Sequence, residues 1–311
     1  MKQMSEPIIF FGSGPVAAKS LHLLAHNFNI EAVITKPRPP HHRGNVPVLD
    51  AAEKLQLPIQ TADSRKSLDK LFAAKQFQSR IGVLVDFGII VSQGVIDYFP
   101  LGIVNGHFSL LPEWRGADPI TFSILSGQTR TGVSLMLLVA AMDEGPILAQ
   151  GIYDMPTGIR TPELTEQLIQ LSDSLLKETL PAYAQGKIQP VAQDKNPLVK
   201  QLDIHISYSR KITKQDGKLD WHKPAHVLER EIRAFIEWPK SRGKLNDIEV
   251  IITKAHVVQE SGRPGDYSIL NNKTLIVYCG EHALRIDRLK PAGKQEMTAA
   301  AFLAGYQHLL S

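Results

Sequence analysis

Residues 7–26 read PIIFFGSGPVAAKSLHLLAH, and this stretch indicates the fold class. The apolar run at 7–11 has the length of a buried strand, a glycine-containing turn follows, and residues 16–26 carry an apolar pattern of helical spacing. Similar segments alternate further along the chain, with strands predicted at 31–35, 81–85 and 103–107 and helices at 48–55 and 67–74. Such alternation is typical of a parallel sheet covered by helices, so we predict an α/β fold with a Rossmann-like open sheet.

Residues 12–17, GSGPVA, match the G-x-G-x-x-A fingerprint of dinucleotide-binding sheets. That fingerprint requires an acidic residue about 20 positions further on, which binds a ribose hydroxyl. The end of the second predicted strand instead holds Thr35-Lys36-Pro37. We therefore interpret the two glycines as a tight strand-to-helix turn, and we expect no nicotinamide nucleotide to bind.

The chain has 311 residues, which is longer than a typical single domain, and its 43% hydrophobic and 21% charged residues are ordinary for a globular protein. Residues 186–206 are polar and interrupted by Pro190 and Pro197, as is typical of a linker. We predict a catalytic domain over residues 1–200, linker included, and a second domain over residues 201–311. A predicted helix at 224–235 and β-like runs at 248–258, 274–278 and 283–289 favour a small β-barrel in the second domain.

Charge is distributed unevenly between these two predicted domains. Residues 1–200 hold 18 basic and 18 acidic side chains, whereas residues 201–311 hold 17 and 13, so the net charge of +4 lies in the second domain. A basic accessory domain suits a polyanionic partner, although four charges alone are weak evidence for nucleic acid.

Cys279 is the only cysteine, which excludes an internal disulfide, and the N-terminal apolar run is too short for a signal or membrane segment. We therefore expect a cytoplasmic protein with no membrane partner.

The densest chemical signal is Asn105 and His107, at the end of the fourth predicted strand. Strand side chains alternate between faces, so residues two apart project to the same side. An amide donor beside an imidazole can stabilise a tetrahedral oxyanion and move a proton. Asp143, on a predicted turn just past a buried strand in the apolar run 133–142, can orient His107 and favour its charged form. Taken alone, an Asn or His on a strand is more often a hydrogen-bonded structural residue.

Coupled motifs surround these residues. The runs NGHFSLLPEWRGADPI at 105–120 and TGVSLMLLVAAMDEGPIL at 131–148 resemble the formyltransferase family that uses 10-formyltetrahydrofolate, whose pattern is Asn-x-His, Ser-Leu-Leu-Pro, Arg-Gly and a later Asp-x-Gly. The second domain resembles the OB-like, tRNA-contacting C-terminal domain of methionyl-tRNA formyltransferases. The matching residues, in order, are Tyr208, Lys211-Ile212, Leu219-Asp220-Trp221, Arg233-Ala234-Phe235, Trp238-Pro239 and the run LKPAGK at 289–294.

The resemblance covers nearly the whole chain, and it implies a reaction and a set of site residues. The formyl group of 10-formyltetrahydrofolate would pass to the free amine of methionyl initiator tRNA, without a metal, on a monomeric enzyme that does not bind DNA. Asn105 and protonated His107 would stabilise the oxyanion, and Asp143 would orient His107 and help relay a proton. The resemblance also implies a folate pocket shaped by Ser109, Leu110, Leu111 and Pro112, and tRNA contacts from Arg38, Arg43 and Lys211.

The chain departs from the family pattern in two places. Its basic loop at residues 36–47 is shorter and less rich in lysine, and the segment 137–141 is apolar where the family often has a polar or acidic residue after a methionine. Two alternatives to the methionyl-tRNA interpretation stay open. One is a formyltransferase acting on an amino-sugar nucleotide or another small amine such as glycinamide ribonucleotide, and the other is an RNA-binding protein that has lost the reaction.

Overall fold

A computed structural model describes residues 6–41, 43–306 and 308 of the chain. Within it the chain forms two compact units. The first unit comprises the described residues up to Gly116 together with Arg130–Asp154 and Thr165–Ser209, and the second comprises Ala117–Thr129, Met155–Leu164 and the described residues from Arg210 onward. These units interleave along the sequence, and the predicted division at residue 200 stays a prediction.

The elements follow one another in a βα pattern for the first third of the chain. They are β1 (Ile8–Phe11), α1 (Pro15–Asn27), β2 (Ile30–Thr35), α2 (Pro47–Lys54), β3 (Ile59–Thr61), α3 (Arg65–Ala74), β4 (Ile81–Leu84), α4 (Gln93–Asp97) and β5 (Ile103–His107). The middle of the chain holds β6 (Arg115–Gly116), α5 (Pro119–Ser126), β7 (Arg130–Leu137), β8 (Ile147–Asp154), α6 (Thr161–Ala184), α7 (Pro197–Gln201) and β9 (Tyr208–Ser209). The last third holds α8 (Ala225–Ala234), β10 (Ser241–Leu245), β11 (Ile248–Val258), β12 (Tyr267–Leu270), β13 (Thr274–Tyr278), β14 (Ala283–Pro291), β15 (Met297–Thr298) and α9 (Ala299–Tyr306).

The first unit is built on a seven-stranded sheet in the order β3-β2-β1-β4-β5-β7-β8. The strands β1 to β5 are parallel, and β7 and β8 join antiparallel at one edge. The predicted open α/β sheet is therefore confirmed. Because the strand order reverses between β1 and β4, the carboxyl ends of the central strands border the crevice in which sheets of this type bind ligands.

Aromatic packing fixes the centre of this sheet. Phe11 at the end of β1 is fully buried and lies against the rings of Phe72, Phe87 and Phe99, with centroids 5.5 to 5.9 Å apart. Offset and edge-to-face pairs at such separations stabilise a core beyond the burial of their area. This packing places the ends of β4 and β5 on a rigid base.

The long helix α6 begins at Thr161, whose hydroxyl donates to the carbonyl oxygen of Ala234 at 2.7 Å. The backbone N–H of Leu164 donates to the carbonyl oxygen of Arg160, and Glu163 accepts a hydrogen bond from the backbone N–H of Arg160.

The second unit holds an antiparallel sheet in the order β10-β11-β14-β13-β12, with β15 paired to β14. Its apolar face packs on α8 and α9, which contribute Leu228, Ile232, Phe302 and Leu303 to one buried cluster. The predicted second β unit is therefore confirmed as an antiparallel sheet. Among the described strands no ladder joins β10 to β12, so closure into an OB-like barrel stays a prediction.

Candidate active site

The last residues of β5 carry two of the predicted catalytic side chains. Asn105 pairs with Leu84 of β4 and Met136 of β7, and His107 pairs with Ser134 of β7. Asn105 and His107 therefore share a face, as their spacing predicts. Both are almost buried, with 7% and 6% of their surface exposed. Within the described part of the chain nothing hydrogen-bonds to the Asn105 side chain, so its amide N–H groups are available to a ligand.

The hydrogen bond of His107 defines which ring nitrogen carries the proton. Nε2 lies 2.9 Å from the carbonyl oxygen of Trp114. A carbonyl oxygen can only accept, so Nε2 bears the hydrogen and donates it. In the neutral ring Nδ1 is then an unprotonated nitrogen, and it lies 3.8 Å from Oδ2 of Asp143. His107 thus presents a basic lone pair on the side of the carboxylate.

Burial lowers the pKa of His107 below its ordinary value, even though the Asp143 carboxylate and the Trp114 carbonyl both act to raise it. Since an ordinary histidine pKa is already about 6.5, the resting ring is neutral at neutral pH. The physical reason is that the end of β5 excludes water from the ring, which penalises the charged form. The predicted protonated His107 concerns the tetrahedral intermediate and stays a prediction.

Asp143 lies in the loop between β7 and β8 in a left-handed backbone conformation, with φ of 53°. Its Oδ2 accepts the backbone N–H of Gly116 at 2.7 Å. The sequence suggested that the whole run 133–142 is a buried strand, and this is wrong, because β7 ends at Leu137 and Met142 is 60% exposed. The loop leaves the sheet to bring Asp143 back towards His107, and this carries the apolar residues before Asp143 into solvent.

The structure therefore brings His107 and Asp143 together and places Asn105 on the same strand face as His107. The 3.8 Å between Nδ1 and Oδ2 exceeds hydrogen-bonding distance. A movement of about 1 Å would bring the two atoms to the length of a charge-assisted hydrogen bond. The arrangement can accept a proton at Nδ1 and stabilise the resulting imidazolium through the carboxylate.

The predicted folate-pocket residues form a buried turn that leaves β5. Ser109, Leu110, Leu111 and Pro112 are all buried. Ser134 holds this turn, because its Oγ donates to the carbonyl oxygen of Ser109 and accepts the N–H of Leu111. Side chains this buried offer little surface to a ligand, so the turn acts as a support for the end of β5. Contact between this turn and folate stays a prediction.

The three predicted tRNA contacts differ in their surroundings. Arg38 donates to Oδ1 of Asp50 at 2.6 Å and to the carbonyl oxygen of Gly44 at 3.0 Å, so it stabilises its own loop. Arg43 and Lys211 are exposed. His42, in the same loop as Arg38 and Arg43, lies outside the described residues. Contact of all three with RNA stays a prediction.

Sequence reasoning missed two residues that organise the site. Gln150 on β8 donates from Nε2 to the carbonyl oxygen of Leu111 and to Oγ of Ser134. Gln193, from the segment predicted to be a linker, donates to the carbonyl oxygens of Asp143 and Gly145. Gln150 could have been found from the sequence, because a polar side chain within an apolar strand, like that of its partner Ser134, indicates a buried hydrogen bond. No pattern in the sequence marks Gln193, because its partners are about 50 positions away.

The second unit has a basic groove of its own. A cavity of about 700 Å³ is lined by the cationic side chains of Lys218, Arg242, Lys244 and Lys290, by one carboxylate, Glu249, and by apolar residues that include Trp221. The strand register places Arg242 of β10 and Lys290 of β14 on either side of Ile251 of β11. None of the four cations forms an ion pair with the described residues. With four cations and one carboxylate in its lining, the groove carries a net positive charge.

Within residues 6–41, 43–306 and 308, no group of three or more His, Cys, Asp or Glu side chains is arranged to hold a metal ion. The expectation of a metal-free reaction stays a prediction. The helices in this part of the chain are also either too short or too polar to cross a bilayer.

Two family models match the chain. The formyl transferase model matches residues 8–180, and the model of the formyl transferase C-terminal domain matches residues 211–307. The chain belongs to the formyl transferase family. It is a formyl-transferring enzyme, in agreement with the predicted activity.

Individual relatives refine this placement. The chain is 36% identical to the methionyl-tRNA formyltransferase of Herpetosiphon aurantiacus over 299 residues, which cover 94% of the chain and 95% of the relative. Among solved structures it is similar to the N-formyltransferase of Helicobacter canadensis in complex with folinic acid and dTDP-3-aminofucose, at 19% identity and a TM-score of 0.65, with 94% of the chain and 100% of that protein covered. It is also similar to HypX of Aquifex aeolicus in complex with tetrahydrofolic acid, at 15% identity and a TM-score of 0.63, with 96% of the chain covered. The chain spans about half the length of HypX, 47%.

Proposed function

We propose that this enzyme transfers the formyl group of 10-formyltetrahydrofolate to the amine of methionyl initiator tRNA. The observation that carries the proposal is the unprotonated Nδ1 of His107, which faces the Asp143 carboxylate beside the open amide of Asn105. Relatives that are 32% to 36% identical over almost the whole chain are named methionyl-tRNA formyltransferases, and this supports methionyl-tRNA as the acceptor.

The reaction follows from these three side chains. The amine nitrogen attacks the formyl carbon, and the Asn105 amide donates to the oxygen as it becomes negative. Nδ1 of His107 takes the proton that the amine loses, and the imidazolium is stabilised by the Asp143 carboxylate. The same proton passes to the departing folate nitrogen as its bond to the formyl carbon breaks. The products are formylmethionyl-tRNA and tetrahydrofolate.

We expect the purified chain to formylate methionyl initiator tRNA at the expense of 10-formyltetrahydrofolate. The test supplies charged initiator tRNA and an amino-sugar nucleotide together in one reaction and measures formylated product from each. Formylation of tRNA alone supports the proposal. Transfer to the sugar alone would establish the rival acceptor, and binding of tRNA without release of tetrahydrofolate would establish an RNA-binding protein that has lost the reaction.

The amino-sugar nucleotide acceptor is the second candidate. A relative that binds dTDP-3-aminofucose covers nearly the whole chain, but its 19% identity supports a shared fold alone. The net positive charge of the groove in the second unit suits a large polyanion better than a single nucleotide sugar. Methionyl-tRNA is therefore the acceptor that the chain favours.

We further propose that the basic groove of the second unit contacts the tRNA backbone. Changing Lys290 to methionine keeps the aliphatic stem and removes one charge from the groove. We expect weaker tRNA binding and a slope of log K against log salt that is smaller by about one. Filter binding at several salt concentrations measures both quantities.

Lys273 is the matched control for this change, because it is an exposed lysine in the turn between β12 and β13, away from the groove. Lys273→Met should leave the affinity and the salt slope at the wild-type values. Lys211→Met, tested in parallel, examines the contact predicted from the sequence. Equal affinity and slope for Lys290→Met and wild type would exclude the groove from the RNA contact.

The location and the oligomeric state rest on the sequence. We propose a cytoplasmic monomer. Size-exclusion chromatography with light scattering measures the molecular mass, and a mass near 69 kDa, about twice the chain mass of 34.5 kDa, would exclude the monomer.

A further inference from the structure

A segment that neither family model covers completes the first unit. The models match residues 8–180 and 211–307, and the segment 191–209 lies between them. Val191 exchanges two backbone hydrogen bonds with Ile147 of β8, at 2.7 and 2.8 Å. Further on, β9 pairs with β6 next to the site. Residues predicted to be a linker therefore form part of the catalytic unit.

Gln193 is the residue of this segment that reaches the site. Its Nε2 donates to the carbonyl oxygen of Asp143 at 2.7 Å and to that of Gly145 at 3.0 Å. Its Oε1 accepts from Nη2 of Arg115 at 2.7 Å and from Nε at 3.3 Å. The side chain is buried, with 5% exposed, and both amide hydrogens and the amide oxygen are used. An amide satisfied on every side fixes the position of its partners.

Other contacts also hold the loop between β7 and β8 that carries Asp143. Gly116 donates its N–H to the Asp143 carboxylate, and Nη1 of Arg115 lies 3.1 Å from Oε1 of Glu144. A Cβ added to Gly145 would lie 1.7 Å from the carbonyl oxygen of Leu137, so the turn is packed tightly against the end of β7. Gln193 is the only one of these groups that binds the main chain on both sides of Glu144 in the described structure. Its loss would remove the hydrogen bonds to the carbonyl oxygens of Asp143 and Gly145, while the Gly116 contact and the Arg115–Glu144 ion pair would remain.

We propose that Gln193 is a positioning residue that fixes the main chain at Asp143 and thereby sets the approach of Oδ2 to Nδ1 of His107. The inference rests on the proposed function in so far as His107 is the proton acceptor. Gln193 touches neither reacting atom nor His107. It acts through the carboxylate, whose distance from the ring sets how strongly the imidazolium is stabilised.

Gln193→Met keeps the length of the side chain and removes all four hydrogen bonds, while Gln193→Glu keeps the acceptor towards Arg115 and replaces the donor to the two carbonyl oxygens. We expect both variants to lower kcat by about 10- to 100-fold, because small displacements of catalytic groups have effects of this size. KM for tRNA and for the formyl donor should change by less than about 2-fold, since Gln193 binds neither substrate. Gln189→Met is the matched control, as Gln189 is an exposed glutamine in the same part of the chain.

A double-mutant cycle separates positioning from a general loss of structure. In an Asp143→Asn background, which lacks the carboxylate charge, Gln193→Met should reduce kcat by less than about 3-fold further, because residues that act as a unit are non-additive. An equal factor in both backgrounds, or near-normal kcat for Gln193→Met alone, overturns the proposal. A fall in kcat that tracks a fall in Tm overturns it as well.

A measurement without substrates distinguishes this inference from the proposed function. The charged groups that bear on the ring are Asp143 directly and Arg115 and Glu144 behind it. Histidine NMR, with the His107 signal assigned from a His107→Gln variant, should show a lower pKa for His107 in Gln193→Met, because the carboxylate that raises it is less well held. An unchanged His107 pKa overturns the positioning role. Absence of formyl transfer to tRNA by the wild type, with the pKa shift intact, would instead overturn the proposed function alone.

Discussion

Replacing Asn105 with alanine will lower the single-turnover rate of formyl transfer by about 100- to 1,000-fold, as loss of one oxyanion donor does in other enzymes. Replacing His107 with alanine will lower it by about 100- to 10,000-fold, the range of general acid–base contributions. Asn105 supplies an amide N–H that nothing in the described structure occupies, and His107 supplies the lone pair that receives the amine proton. Rapid mixing of enzyme, 10-formyltetrahydrofolate and methionyl-tRNA, with product quantified from quenched samples, measures this rate. Thermal unfolding measured alongside shows that the variants remain folded.

Two further variants serve as controls for this result. Asn105→Asp keeps the shape of the side chain but places a negative charge where the oxyanion forms, so it should be at least as slow as Asn105→Ala. His22→Ala removes an exposed imidazole on α1 and should leave the rate unchanged. Near-normal rates for Asn105→Ala and His107→Ala in folded protein would show that neither side chain takes part in the chemistry.

Changing Asp143 to asparagine will lower kcat by about 100- to 10,000-fold, the range of general acid–base contributions, because the imidazolium formed during the reaction loses its counter-charge. Oδ2 of Asp143 lies 3.8 Å from Nδ1 and also accepts the N–H of Gly116. The asparagine amide can retain one of these contacts but carries no charge. Steady-state kinetics at saturating substrates measures the loss, and kcat within about 3-fold of wild type would contradict the role given to the carboxylate.

The Asp143→Asn variant should also shift the pH dependence of activity in a defined direction. Activity requires neutral His107, so it falls as the pH drops through the pKa of His107. Burial lowers that pKa and the Asp143 carboxylate raises it, so removing the charge should lower it further. The acidic limb of the profile should therefore move to lower pH in Asp143→Asn. Movement to higher pH would mean that the carboxylate does not act on His107.

The sequence predicted the parts of this site that depend on local periodicity. Asn105 and His107 lie on one face because strand side chains alternate, and their place at the carboxyl edge follows from the βα pattern around them. The apolar character of residues 138–142 predicted continued strand, yet β7 ends at Leu137 because the chain must turn to bring Asp143 back to the ring. Hydrophobicity alone does not show where such a turn begins.

Contacts between distant segments could not be predicted in the same way. Gln193 hydrogen-bonds to Asp143, 50 positions earlier, and Ser207 accepts the N–H of Trp114. A polar, proline-interrupted segment is usually a solvated linker, and only its return to the sheet shows otherwise. The lowered pKa of His107 could not be predicted from the sequence either, because the burial that lowers it depends on the packing around the end of β5.

The pairing of β6 with β9 sets where this enzyme can be recombined with a homologue. A Cβ on Gly116 would lie 2.4 Å from the backbone carbonyl oxygen of Ser209, so the close approach of the two strands requires glycine at position 116. A chimaera joined at residue 180, where the first family model ends inside α6, would take β9 from a foreign parent. A crossover placed after Ser209 keeps both strands from one parent and exchanges only the module that follows.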